Sequence, residues 1–159
     1  FLLRLIRKAA IDPTLATQLA VGPIECLDYQ TLVHRIEQIA DQAANIAKHL
    51  IMLKGRDKKI SKSLLKKMYD AGCDALSSYN KAISALFSNH VADSIEIIES
   101  QARIEKLDQE IASLVFLKEK NTEVICCCCS IRDSILRIAE YAADIAEITL
   151  NRSYKPQSS

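Results

Sequence analysis

The chain has 159 residues, a formal charge of +1, 49% hydrophobic and only 5% aromatic residues, with no Trp. So balanced a charge gives no bulk attraction to nucleic acid or membrane. Three Gly and three Pro among abundant Ala, Leu, Ile, Lys and Glu argue for long helices and almost no sheet. No apolar run approaches the roughly 18 residues that span a bilayer, and Phe1-Leu2-Leu3 is broken at once by Arg4, unlike a signal peptide. Six Cys, four of them consecutive, do not form an extracellular disulfide frame. A soluble all-α chain in a reducing cytoplasm is expected.

The elements follow from apolar spacing and its interruptions. Leu2, Leu3, Leu5, Ile6 and Ala9 predict the tail of a helix ending near Ile11, punctuated by Asp12-Pro13. The chain opens without Met inside this apolar pattern and reads as a piece of a longer protein. Gly22-Pro23 closes a short irregular connector, and Asp28 is the expected N-cap of a long helix over 29–54 that stops at Gly55. A basic turn, Arg56 to Lys67, leads into a helix capped by Ser61 or Ser63. Its predicted apolar face is Leu65, Met68, Gly72, Ala75, Tyr79, Ala82 and Leu86. Ser88-Asn89-His90 interrupts it. A helix over 91–120 follows, with Ile97, Ile104, Leu107, Ile111 and Leu114 on one seam. After a break at Asn121-Thr122 a last helix runs to about Arg152, and residues 153–159 form a polar, disordered tail.

Two segments are copies of one another, 99 residues apart. IEQIADQAANIA at 36–47 and ILRIAEYAADIA at 135–146 share seven of twelve positions, and Asp41 matches Glu140. A repeat that keeps an apolar and an acidic rail points to a duplicated helical unit. Residues 61–152 hold a complete three-helix unit, and residues 1–54 the remainder of a preceding one. The last helix presents Ile131, Ile135, Ile138, Ala142 and Ile145 beside Leu136, Ala139, Ala143, Ala146 and Leu150 as a wide buried face.

Beside that face runs a polar rail, Asp133, Arg137, Glu140, Asp144, Glu147 and Asn151, matched in the first copy by His34, Glu37, Asp41, Asn45 and Lys48. Steps of three and four residues keep each rail on one side of its helix. Two carboxylates four residues apart suit a single cation, and oxygen donors alone favour magnesium, calcium, manganese or ferric iron. Glu37 with Asp41, and Glu140 with Asp144, are the metal-ligand candidates, with Asn45 and Glu147 as further donors. His34 and His49 could add nitrogen. A solvated face paired with Arg or Lys is the simpler alternative.

Cys126 to Cys129 fan out at about 100° per residue, so four cannot converge on one tetrahedral ion. Only Cys126 and Cys129 share a face, and packing as small apolar residues is the expected role. The basic run Lys54, Arg56, Lys58, Lys59, Lys62, Lys66 and Lys67 could meet an anionic membrane surface or an acidic partner, or simply be solvated. Neither a Gly-rich phosphate loop nor a nucleophile elbow is present, and the Glu-x-x-His motif of carboxylate-bridged metalloenzymes is missing. No enzyme is expected.

The string Arg35-Ile-Glu37-Gln-Ile-Ala-Asp41-Gln-Ala-Ala-Asn45-Ile-Ala resembles the signature of the PhoU family. There Glu-Arg-Ile-(Gly/Ala)-Asp-His-Ala-x-Asn-Ile-Ala-Glu closes each three-helix unit. The second copy, Arg137-Ile-Ala-Glu140-Tyr-Ala-Ala-Asp144-Ile-Ala-Glu147, looks like the form typical of archaeal members, as does the connector with Asp12-Pro13 and Gly22-Pro23. The resemblance implies tandem three-helix bundles, the first incomplete here, that pair as homodimers. It also implies a cytoplasmic regulator of phosphate uptake acting with a membrane phosphate transporter or signalling proteins, and reaching the membrane only through them. Archaeal relatives often carry an AbrB-like DNA-binding segment in front, which this chain lacks, so no direct nucleic-acid binding is expected of it.

Metal ions held by Glu/Asp-x-x-x-Asp pairs are implied too, which carries over to Glu37 and Asp41. The second copy departs from the pattern: Leu136 takes the Glu37 place, and Glu140 with Asp144 restores the spacing one turn later. Lys48 replaces the usual trailing Glu, while Glu147 keeps it. Glu99, Glu105 and Asp108 are the helper acids available on the middle helix.

Overall fold

Caps and prolines set where each helix begins. The computed structural model describes residues 2–54 and 60–154. Among them the helices are α1 (Leu2–Ile11), α2 (Pro13–Leu19), α3 (Pro23–Lys54), α4 (Lys62–Ser88), α5 (Val91–Glu99), α6 (Gln101–Lys118) and α7 (Thr122–Ser153), with no strand. The tail beyond Tyr154 and the turn residues 55–59 lie outside the described residues.

Three boundaries differ from expectation, each for a local reason. The connector over 12–22 is not irregular throughout but contains α2. Asp12 Oδ1 accepts from Thr14 N at 3.0 Å and Leu15 N at 3.2 Å, and Pro13 occupies the first helical position, where its missing donor costs nothing. The long helix starts at Pro23 rather than at residue 29, and Glu25 Oε2 reaches back to accept from Gly22 N at 2.8 Å. Asp28 is therefore inside α3, not its cap. The helix expected over 91–120 is interrupted at Ser100, whose hydroxyl donates to Ile97 O at 2.7 Å and competes for the last-turn carbonyls of α5. Of the two expected candidates Ser61 is the cap of α4, and at the expected break Asn121 caps α7.

α7 is the centre of the molecule: α3, α4, α5 and α6 all pack on it. Six of the ten residues of its expected face, Ile131, Ile135, Ala139, Ala142, Ile145 and Ala146, lie in the core, while Leu136, Ile138, Ala143 and Leu150 are half-buried at its margins. One apolar cluster gathers Leu53, Leu64, Met68, Ile111, Val115 and Val124 at one end, where Cys127 and Cys128 also pack. A second joins Ile39, Ala82, Leu86, Ile97 and Ile145. A third, smaller one holds α1 to α3 through Ile6, Ala9 and Cys26. The predicted face of α4 holds except at its start: Met68, Ala75, Ala82 and Leu86 are buried and Gly72 and Tyr79 half-buried, while Leu65 is exposed and Leu64 takes its place in the core. Leu64 and Leu65 fit the apolar period equally well, and contact with Leu53 and Val115 decides between them.

The middle helix is tied to α7 by a half-buried ion pair, Arg132 Nε to Asp108 Oδ1 at 2.9 Å. Burial pushes the Asp108 carboxyl above its usual range; Arg132 pulls it down and Asp133 adds to the rise. A carboxyl whose pKa is raised by folding favours the protonated native state. Its contribution therefore improves as pH falls through the carboxylate range and is lost as pH rises past the folded value. Arg132→Met removes the compensating cation and should cost about 1–2 kcal/mol at neutral pH, less than for a fully buried pair because both partners keep some solvent. The loss should shrink on acidification. Urea denaturation at about pH 7 and about pH 4 measures both effects.

Candidate functional site

The two copies of the repeat lie side by side. α3 and α7 run antiparallel, as three cross-links show: Asp28 to Arg152, Arg35 to Asp144, and Asn45 to Ser134. Arg35 Nε stands 2.7 Å from Asp144 Oδ2, and Asn45 Nδ2 donates to Ser134 Oγ at 2.9 Å. These two contacts are the same contact seen twice. Shifting Arg35 by the repeat length gives Ser134, and shifting Asp144 back gives Asn45. The equivalent residues Ile39 and Ile138 meet in one apolar cluster. Shifting Asp28 and Arg152 likewise gives Cys127 and Leu53, which share the other cluster. The α3–α7 pair thus has a local two-fold relation.

The copies differ in what covers them. Ile135 is 6% exposed, while its equivalent Ile36 is 38% exposed. Ala139, Ala142 and Ala146 are buried; Ala40, Ala43 and Ala47, identical and in register, are exposed. The stripe that α4, α5 and α6 cover on α7 is open on α3.

The candidate acids face outward. Glu37 and Asp41 on α3 are exposed, as are Glu140 and Glu147 on α7. Asp144 is half-buried and paired with Arg35, whose guanidinium also lies 5.0 Å above the Tyr141 ring and donates through Nη1 to Gln38 Oε1 at 2.7 Å. Asp133 is taken up by Arg137, the nitrogen Nε donating to Oδ2 at 2.9 Å. Asn45 is tied to Ser134 through its amide nitrogen. The helper acids separate: Asp108 is committed to Arg132, and Glu99 and Glu105 are exposed.

As a cation site the first copy fits in part and the second less. The α3 pair Glu37 and Asp41 has helical spacing and open carboxylates. The α7 pair has one carboxylate already neutralised by Arg35. Among the described residues no three His, Cys, Asp or Glu side chains come together, so an ion at Glu37 and Asp41 would need water or a partner to complete its shell. His34 is exposed, and His49 is half-buried.

The four cysteines do separate. Cys126 is exposed, Cys127 and Cys128 are buried, and Cys129 is half-buried. Burial pushes the Cys128 thiol up to about 11, so it remains a thiol and packs as an apolar side chain. Of the basic run, Lys54, Lys62 and Lys66 are exposed and Lys67 is paired with Glu110, while Arg56, Lys58 and Lys59 lie outside the described residues.

Sequence reasoning missed Arg35 and Ser134. Both are legible once the copies are set antiparallel, since only then does the Asn45 place of one copy meet the Arg35 place of the other. No family model matches the chain, and neither the characterised proteins nor the solved structures searched contain a match.

Proposed function

We propose that this chain is a non-catalytic, cytoplasmic regulator of phosphate uptake of the PhoU type, working as a helical scaffold that binds protein partners. What supports the reading is the pairing of the two signature-bearing helices about a local two-fold relation, with Arg35–Asp144 and Ser134–Asn45 as equivalent contacts. This is the arrangement expected of a duplicated unit whose closing helices meet. The open Ala stripe on α3 supports association, because its small side chains let another helix approach closely and give a homodimer a face to use. The partner is a component of a membrane phosphate transporter or of its signalling apparatus, met through the outward carboxylates.

Within this reading a hard cation belongs on Glu37 and Asp41 rather than on Glu140 and Asp144, because Arg35 already neutralises Asp144. The same ion pair favours a second reading, a metal-free interaction module of the same fold. Metal analysis of protein purified without chelator separates them. The cation reading predicts bound metal that Glu37→Ala removes and Glu140→Ala leaves; metal-free protein with unchanged partner binding favours the module. The functional proposal itself is tested by affinity capture from cells grown under phosphate limitation and excess. Recovery of phosphate-transport or phosphate-signalling components in one condition is expected, and their absence from both would count against it.

A further inference from the structure

One end of the bundle combines free cations with apolar side chains that no helix covers. α3 and α6 finish there and α4 and α7 begin. Leu53, Leu64, Val115 and Val124 pack in one cluster, and Ser61 N donates to Glu119 Oε1 at 3.0 Å. Lys54, Lys62, Lys66, Lys118 and Lys120 are exposed at this end, and among the described residues none has a carboxylate partner. The carboxylates among the described residues there are two, Glu119, which accepts from the neutral Ser61 N–H and keeps its charge, and Glu123, so the five lysines outnumber them. The end therefore carries a local excess of positive charge that the near-zero net charge of the chain conceals.

The apolar residues arrive in consecutive pairs at the ends of two helices. Phe116 and Leu117 close α6, 68% and 78% exposed; Ile51 and Met52 lie in the last turn of α3, 72% and 42% exposed. Neighbouring residues on a helix point about 100° apart. The two pairs sit in the last turns of α3 and α6, helices that both pack on α7 and not on one another, so only an extended surface laid across this end meets both pairs.

We propose that this end of the bundle docks directly on an anionic lipid bilayer, rather than reaching the membrane only through partners as the family resemblance implies. A plane of acidic headgroups meets the five ammonium groups, and its acyl boundary accepts the Phe116, Leu117 and Ile51 side chains at shallow depth. Two weak signals, charge and apolar insertion, combine in such docking, which neither sustains alone. The attachment is peripheral, for no helix among the described residues is long and apolar enough to cross a membrane. An acidic protein could satisfy the lysines, but apolar pairs carried on two helices that do not pack on one another favour a broad plane over a single groove.

Flotation of the protein with vesicles tests the assignment. Binding to phosphatidylcholine vesicles containing phosphatidylglycerol is expected, with little binding to phosphatidylcholine alone and release at salt of about 0.5 M, where charges are screened within a few ångströms. The variant Lys54→Glu/Lys118→Glu/Lys120→Glu should bind about a hundredfold more weakly or worse, at roughly fivefold per lost cation. Phe116→Ser/Leu117→Ser should lose about tenfold or more with every charge intact. Reversal of Arg4 and Arg7 on α1, far from this end, should change nothing. All these side chains are solvent-facing, and circular dichroism checks that each variant keeps its helices. Absence of wild-type binding to the anionic vesicles overturns the proposal, as does equal binding by the lysine variant. Salt-sensitive capture of an acidic protein without vesicle binding would also overturn it. None of these readouts depends on the phosphate reading.

Discussion

Truncating Ile145 to Ala is expected to cost about 2–5 kcal/mol of unfolding free energy. Its side chain is fully buried in the cluster that α7 shares with α3, α4 and α5, where Ile39, Ala82, Leu86 and Ile97 enclose it. Close packing leaves little room for the neighbours to collapse into the cavity. Ile46 is the same residue in the other copy, and it is only partly buried against the opposite cluster. Ile46→Ala should therefore cost about half as much or less, since part of its surface is already in water. Urea denaturation of the two variants under one set of conditions gives the comparison. Equal losses would mean that the two copies share one environment, contrary to the packing described.

Enlarging an alanine gives the converse result. Ala142 is buried where α7 meets its neighbours, and a leucine there has no free volume; Ala142→Leu should destabilise by about 1–3 kcal/mol through displaced helices. Ala43, its identical partner in the repeat, is exposed, so Ala43→Leu should stay within about 0.5 kcal/mol. Comparing the midpoints of thermal unfolding for the pair is sufficient, because both changes add the same atoms at matched positions. The outcome bears on function as well. An exposed Ala stripe permits close approach of another helix, which is what a scaffold that works by association requires.

Much of this organisation is legible in the sequence, and the reasons for the exceptions are local. The repeat, the last helix and its buried rails follow from three- and four-residue spacing, which survives because α7 is packed on most of its circumference. The apolar face of α4 is less determinate at its start, since Leu64 and Leu65 both suit the period and only the position of Leu53 and Val115 chooses. α2 is too short for periodicity to mark, and its start depends on Asp12 capping at Pro13. Asp28 has the chemistry of a cap, but Pro23 and Glu25 begin the helix sooner and free it to meet Arg152 at 3.1 Å.

The acidic rails illustrate the limit most clearly. Spacing correctly places Glu37, Asp41, Glu140 and Glu147 on outward faces. It says nothing of Arg35, which approaches Asp144 from the other copy and claims its carboxylate. A pairing between helices is a tertiary fact; it enters the sequence only through the antiparallel register that the repeat itself implies.

Thiol labelling at matched positions gives the sharpest check. With Ala43→Cys and Ala142→Cys placed separately, a maleimide in dilute solution should react with the α3 thiol at the rate of an open surface cysteine and with the α7 thiol only as the molecule unfolds. Comparable protection at the two sites, with both variants folded, would contradict a duplicated helix pair of which one member is core and the other presents a free face.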